Sequence, residues 1–403
     1  IKASELEALS SQLRRNAQFK QHGPGVATVL FVHLKFIAIG TSRGLILLFD
    51  HFQEIRQVIG SNTNTAAQTV KTNAAVTSID STTAADVLVA GYDNGEVLLW
   101  DVPKGVILKR LTELHRMRVV RLNHSGSAGS HDVSVITVDT EGVVHRAKFS
   151  KMIWTSYTIE TDCLLDGKTG SVVDLSVLPP VPTVSRYTSA ATALLWAALA
   201  TCTKTYIIQV QPAIKILHRW SPPVPVKDIP TPVVVSLDWL WHPEDDGNQV
   251  TVYPILARTW GPHVQLITCF SKARRKQNDG TEGVGFFEIS SRTLDDNIVT
   301  AKWLSLDSMK LVLLTATNML VLDASRAELE TVEMMQLSPT IVSSISDNFP
   351  KNRLDEGLLT TGCSSNDSFF LLTASELYNF TLQSWVEQVE VMIKEGKWLD
   401  ALA

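Results

Sequence analysis

Residues 88–101 read LVAGYDNGEVLLWD. Two short apolar runs, Leu88–Ala90 and Val97–Trp100, flank the segment Gly91-Tyr-Asp-Asn-Gly95. Asn-Gly between such runs is the strongest short-range hairpin signal, because a type I′ turn needs positive φ at both central residues. The second run closes on Trp100-Asp101, a strand-end aromatic followed by a turn former, as the inner strands of a propeller blade finish. The same wording stands at residues 37–50, IAIGTSRGLILLFD. There Gly40, Gly44, Phe49 and Asp50 match Gly91, Gly95, Trp100 and Asp101 at a constant offset of 51, without a gap. A β-hairpin repeated at a fixed period marks a repeat architecture. The chain therefore reads as mostly β, a degenerate WD-repeat-like β-propeller of six or seven blades; the competing reading is another all-β fold that happens to hold two similar hairpins.

The 403 residues exceed one ordinary core and suit a propeller with additions. Hydrophobic residues make up 45% and charged residues 19%, the balance of a folded chain. A net charge of −5 supplies no basic field for nucleic acid. The four cysteines, Cys163, Cys202, Cys269 and Cys363, contain no C-x-x-C pair. They suggest neither a disulfide framework nor a zinc site and fit the reduced thiols of a cytoplasmic protein. No apolar run of about 18 residues is present to span a membrane. The chain opens on Ile1 rather than Met and so reads as a fragment.

Along the chain, Ser4 to about Phe19 reads as a helix, with Ser4 and Glu7 as a capping box and Leu6, Leu9 and Leu13 on one face. It packs on the propeller or meets a partner, and His22-Gly-Pro-Gly25 breaks it. Blade one spans about 26–60, a polar surface loop 61–73, and blade two 74–111. Blade three, VSVITVDTEGVVHRAKF, keeps a glycine at Gly142 but lacks Trp-Asp. The glycine- and serine-rich loop 123–131 precedes it. Blade four pairs SVVDLSVLP with ALLWAALATCTKTYIIQV across the Pro-rich linker 179–182, and blade five pairs VVVSLDWLW with YPILARTWGPHVQLITCF after the Pro-rich segment 221–232. Blade six is read from about Gly285, starting with FFEIS, and residues 341–385 hold the last strands. From Ser384 the period turns helical: Trp385, Val389, Met392 and Ile393 share a face, Gly396 caps, and Trp398, Ala401 and Leu402 begin a second helix, the opening of an α-solenoid. The expected division is 1–25 helix and linker, 26–383 propeller, 384–403 solenoid start.

Candidate chemistry is sparse. Asp166-Gly-Lys168-Thr169 contains the GKT of a phosphate loop, but Asp162 stands where the required glycine belongs, so a plain turn is the reading. Gly126-Ser-Ala-Gly-Ser130 does not match the nucleophile elbow G-x-S-x-G. His124 and His131 have no Cys or paired His beside them to hold a metal. Lys272-Ala-Arg-Arg-Lys276 is the densest basic run, a solvated loop or a contact for acidic lipid or protein. His115-Arg-Met-Arg118 with Arg121 is a weaker version. The sequons at Asn123, Asn366 and Asn379 read as coincidence in a reduced chain. Trp239 and Trp241 are read as one core residue and one blade-interface or surface residue. No nucleophile, base and oxyanion donor assemble from neighbouring positions, so no catalytic, cofactor or metal residue is assigned and the chain reads as non-enzymatic.

A propeller running into an α-solenoid is the layout of membrane-tethering and coat subunits. IAIGTSRGLILLFD (37–50), LVAGYDNGEVLLWD (88–101), LVLLTATNMLVLDASRAELETVE (311–333) and SWVEQVEVMIKEGKWLDALA (384–403) resemble the vacuolar protein sorting-associated protein 8 family, the subunits particular to the CORVET early-endosomal tether. The resemblance implies a propeller that engages the GTP-bound early-endosomal Rab GTPase and a solenoid that leads to the other class C tethering subunits. It also implies a cytoplasmic protein peripheral on endosomal membranes, in indirect contact with the bilayer. A RING-like zinc domain closes the whole family member, and no C-x-x-C for it occurs in these 403 residues. No family motif says which residues meet the Rab. The late-endosomal HOPS subunit of the same layout, a constitutive coat or nuclear-pore scaffold and a propeller hydrolase are the rivals. The hydrolase predicts acidic and histidine side chains converging on the central channel.

Overall fold

The structure is a computed structural model. It describes residues 1–382 except 20–22, 61–73, 126–131, 153–156, 181–194, 224–233, 246–249, 272–283, 305–308, 326–327, 349–360, 366 and 374, and beyond them residues 387, 389, 393 and 394. The chain opens with strand β1 (Lys2–Glu5) and helix α1 (Glu7–Gln18). Blade one is β2 (Ala27–His33), β3 (Phe36–Thr41), β4 (Ile46–Phe49) and β5 (Ile55–Ile59). Blade two is β6 (Val76–Ser81), β7 (Val87–Tyr92), β8 (Val97–Asp101) and β9 (Val106–Leu111). Blade three is β10 (Val119–His124), β11 (Val133–Asp139), β12 (Val143–Lys151) and β13 (Tyr157–Asp166). Blade four is β14 (Val172–Val177), β15 (Leu195–Thr201), β16 (Thr205–Gln211) and β17 (Lys215–Trp220). Blade five is β18 (Leu237–Asp245), β19 (Val250–Trp260), β20 (His263–Ser271) and β21 (Val284–Thr293). Blade six is β22 (Ile298–Trp303), β23 (Lys310–Thr315), β24 (Asn318–Asp323) and β25 (Glu330–Gln336). After helix α2 (Pro339–Asn348) come β26 (Thr361–Ser365), β27 (Ser368–Leu372) and β28 (Leu377–Thr381).

Each of the first six blades is a four-stranded antiparallel meander in chain order. The seventh sheet runs β26-β27-β28-β1, so its outermost strand comes from the other end of the chain. The first strands of the seven sheets neighbour one another in sequence, and β26 lies against β2, which closes the ring. Seven is therefore the blade count. Closure also redraws the N-terminal part. Ser4 is no helix cap: it lies in β1 opposite Asn379, and its hydroxyl donates to the Asn379 carbonyl at 3.3 Å. The start of α1 is held instead by Gln53, whose Oε1 accepts from the N–H of Ala8 at 3.0 Å and of Leu9 at 3.4 Å. Leu9 and Leu13 enter the core between blades one and seven, and Ser10 Oγ accepts from Leu377 N at 3.0 Å.

The middle strands are packed on both faces by neighbouring blades and so read as continuous apolar runs; β7 is buried at every position. Outer strands are less buried; β25 is largely exposed. Two sequence assignments shift. FFEIS belongs to β21, the outer strand of blade five, and blade six starts at Ile298. Residues 341–348 are helical, with Ile341 and Ile345 buried against blades six and seven. The expected solenoid start, residues 384–403, lies outside the described residues but for four positions.

The hairpin of residues 92–96 corrects the turn assignment. Gly95 has φ +83°, and Asn94 is not in the left-handed region. Gly95 N donates to Tyr92 O at 3.1 Å and Tyr92 N to Glu96 O at 2.9 Å. This is a three-residue loop, a type I turn followed by a left-handed glycine, rather than type I′. Gly44 and Gly142 repeat it with φ +78° and +81°.

Because every blade is a meander, first-to-second and third-to-fourth strand turns open at one end of the ring. Second-to-third hairpins and the connections between blades open at the other.

Candidate functional site

The innermost strands are edge strands around the channel, so one row of their N–H groups finds no partner within the sheet. Carboxylates from the preceding blade take several of them. Asp80 on β6 accepts from His124 N on β10 at 2.8 Å. Asp174 on β14 accepts from Leu237 N on β18 at 2.7 Å, and Asp238 on β18 from Trp303 N on β22 at 2.8 Å. Ser236 Oγ does the same for Ala301 N at 3.1 Å. Basic residues flank two of these acids: Arg121 Nε lies 3.1 Å from Asp174 Oδ1, and Lys302 Nζ lies 3.3 Å from Asp238 Oδ1. Burial pushes the Asp80 and Asp238 carboxyls up and the His124 imidazole down.

The hydrolase rival required acidic and histidine groups at this position, and both residue types are there. Their oxygens, however, already accept main-chain N–H groups of the next blade, which is a bond between blades and not a pair aimed at a reacting atom. A second constellation looks more like a triad. His115 Nδ1 lies 3.0 Å from Asp139 Oδ2, and Thr137 Oγ1 lies 2.8 Å from His115 Nε2. All three are buried, and Asp139 Oδ1 also accepts from Glu141 N and Val143 N. With no open surface at the hydroxyl, the arrangement ties the connection after blade two to the hairpin of blade three. Among the described residues no group of His, Cys, Asp and Glu has the geometry of a metal site.

The other residues marked in the sequence are dispersed. Asp166–Lys168 form a salt bridge within a turn that has Gly167 at φ +83° and Gly170 at φ +90°. The phosphate-loop resemblance therefore ends as a turn. Arg118 Nε faces Asp93 at 3.4 Å. Asn123 Nδ2 approaches Asp80 at 3.5 Å, and Asn379 pairs in β28. His131, Lys272–Lys276, Asn366 and the loop 61–73 lie outside the described residues. Trp239 and Trp241 are not split between core and surface. Residues two apart on a strand share a face; both are buried between blades four and five, donating from Nε1 to the carbonyls of Ser176 at 3.2 Å and Pro179 at 2.7 Å.

Sequence reasoning missed Arg258, which is 1% exposed. Its Nη2 donates to Ser221 O at 2.7 Å, and its guanidinium lies 5.1 Å from the Trp260 ring centroid. Burial lowers its pKa to about 10. The only signal was a cation inside the apolar run YPILARTW.

A closed seven-bladed ring of four-stranded sheets, its polar clusters binding strand to strand, is a β-propeller. The chain belongs to the Vps8 β-propeller family, whose sequence model matches residues 1–378. It is 25% identical over 414 residues to the vacuolar protein sorting-associated protein 8 homolog of Mus musculus, and 25% over 416 residues to that of Homo sapiens. Both alignments cover 100% of this chain and 27% of the relative, so the chain spans about a quarter of their length. In fold it is similar to the Cps50 (Swd1) β-propeller domain of Myceliophteria thermophila, with TM-score 0.57, 9% identity, and coverage of 89% of this chain and 97% of that one. A chain of the mitotic checkpoint complex gives TM-score 0.55 at 13% identity, covering 89% and 87%.

Proposed function

We propose that this chain is the propeller module of a CORVET-like endosomal tether, which engages the GTP-bound early-endosomal Rab GTPase and carries no catalysis of its own. Its match to the Vps8 β-propeller family across residues 1–378 is the observation that carries the reading. The ring adds a physical reason: a frame tied between blades by carboxylates and tryptophans holds its turns in fixed positions and suits a docking platform. Nucleotide supplies the switch on the partner's side, because GTP orders the switch segments of a GTPase into a binding surface. Tethering is multivalent, so a single contact of micromolar strength, about −8 kcal/mol, is sufficient. In this reading residues 384–403 begin the solenoid that leads to the other class C subunits, and the protein is cytoplasmic and peripheral on endosomal membranes.

The test is capture of the chain on early- and late-endosomal Rab GTPases, each loaded with a GTP analogue and with GDP. Selective capture by the early GTPase in its GTP form is the predicted result. Preference for the late GTPase moves the assignment to HOPS, and indifference to nucleotide moves it to a constitutive scaffold.

A further inference from the structure

The end of the ring that carries the first-to-second and third-to-fourth strand turns presents four well-exposed apolar side chains, against Val26 and Met117, each 43% exposed, at the other end. Phe52 is 86% exposed, Leu34 61%, Met152 53% and Ile214 45%. They sit in four different turns of blades one, three and four, yet topology places all of them at this end. Phe52 is held out rigidly. Asp50 Oδ1 accepts from both Phe52 N and Glu54 N at 2.9 Å. Gln53 takes φ +69° while its side chain caps α1, and His51 Nε2 lies 2.8 Å from His33 O of the adjoining turn. A left-handed non-glycine residue stores strain, and here the turn so strained projects an aromatic ring into solvent.

Charge selects the occupant. Three of the four apolar residues adjoin a lysine in the chain: Leu34–Lys35, Lys151–Met152 and Ile214–Lys215, all exposed. Lys104 adds a fourth in the blade-two turn, against exposed Glu54 and Asp86. The opposite end is richer in carboxylate, with Asp93, Glu113, Glu141, Asp166 and Asp295 exposed beside the exposed cations Arg116, Lys168 and Lys204. Apolar tips spread over several blades fit no single narrow groove. They fit a broad surface that is apolar just beneath a negative layer, where lysines stay at headgroup level and the apolar side chains reach the acyl boundary. We infer that this end of blades one to four docks directly on an anionic lipid bilayer. The inference stands apart from the GTPase reading, which needs no lipid contact by the propeller.

The test is co-sedimentation of the chain with vesicles of phosphatidylcholine alone and of phosphatidylcholine with phosphatidylserine, without any GTPase. Sedimentation with the anionic vesicles only, weakened by added salt, is predicted. Phe52→Asp with Leu34→Asp, and separately Lys104→Glu with Lys151→Glu and Lys215→Glu, should each lower the vesicle partition coefficient at least about ten-fold. All five side chains are exposed, so the melting temperature should stay unchanged. Failure of the wild-type chain to sediment, sedimentation independent of phosphatidylserine, or equal sedimentation of wild type and variants would overturn the inference. So would loss of GTPase capture by the Phe52 variant with vesicle binding intact, which would assign the face to a protein.

Discussion

Blades one to three and blades four, six and seven close the same hairpin by different chemistry. The first group uses three-residue loops ending on a left-handed glycine, at Gly44, Gly95 and Gly142. The second uses loops one residue shorter, closed by a threonine. Thr201 Oγ1 accepts from Thr203 N at 3.3 Å and Lys204 N at 3.1 Å. Thr315 Oγ1 accepts from Thr317 N at 3.4 Å and Asn318 N at 3.0 Å, and Thr373 Oγ1 from Glu376 N at 3.1 Å. The glycine solution relies on backbone freedom. Side-chain acceptors for the turn's own N–H groups occur in both groups, Thr41 Oγ1 taking Leu45 N and Asp139 Oδ1 taking Glu141 N and Val143 N in the glycine group. The threonine solution differs in relying on such an acceptor with no left-handed residue at 202–203 or 316–317. At the far end of the third strand, three of these six blades, drawn from both groups, place a large apolar residue before an aspartate: Phe49-Asp50, Trp100-Asp101 and Leu322-Asp323.

The largest effect belongs to that shared anchor. Trp100 is 4% exposed in the core between blades one and two, so Trp100→Ala should cost about 3–5 kcal/mol in denaturant unfolding. A loss under about 1 kcal/mol would mean the indole contributes little packing there. The sharpest contrast between the groups comes next. A Cβ on Gly95 would stand 2.6 Å from His115 O at φ +83°, so Gly95→Ala should cost about 2–3 kcal/mol. Thr203→Ala, in an exposed threonine-group loop, should stay within about 0.5 kcal/mol. Equal costs would dissolve the distinction. Thr315→Val keeps the shape and removes the acceptor; it should cost about 1–2 kcal/mol, and a neutral result would show that the hydroxyl does not close the turn.

The smallest effect is in pH dependence. Burial pushes the Asp323 carboxyl up, but hydrogen bonds from Lys310 Nζ at 2.6 Å and from Ser325 more than reverse this and leave it at about 2. A carboxyl depressed on folding contributes stability that is complete above its unfolded value. That contribution is lost as pH falls from about 4 toward 2. Lys310→Met should flatten that part of the stability–pH curve and raise the Asp323 titration midpoint seen by carbon-13 NMR. An unmoved midpoint would remove Lys310 from the account.

The repeat was legible where hairpins used glycine, because Gly40/Gly91 and Gly44/Gly95 keep their spacing in the chain. Blades four, six and seven lost that signal, since a threonine before a turn resembles any other strand threonine. The blade boundary near Gly285 was misplaced because an outer strand with Phe286 and Phe287 is as apolar as an inner one. Helix α2 was hidden by its β-branched content, PTIVSSISDN. The apparent capping box at Ser4 and Glu7 was overridden by pairing with a strand more than 370 residues away, which no local pattern reports. The inter-blade carboxylates, Asp80, Asp174 and Asp238, were invisible for the same reason: each acts on a blade whose distance in sequence varies.

A rigid docking frame requires that both ends of the chain complete one blade. Native-state hydrogen exchange on β1 and β28 tests this most directly. Strand pairing predicts that Leu6 N, which donates to Leu377 O at 2.9 Å, and the paired amides of β1 exchange with the protection of the other outer strands. Exchange of β1 at the rate of a free peptide, with β28 still protected, would contradict a ring closed by the N-terminal strand.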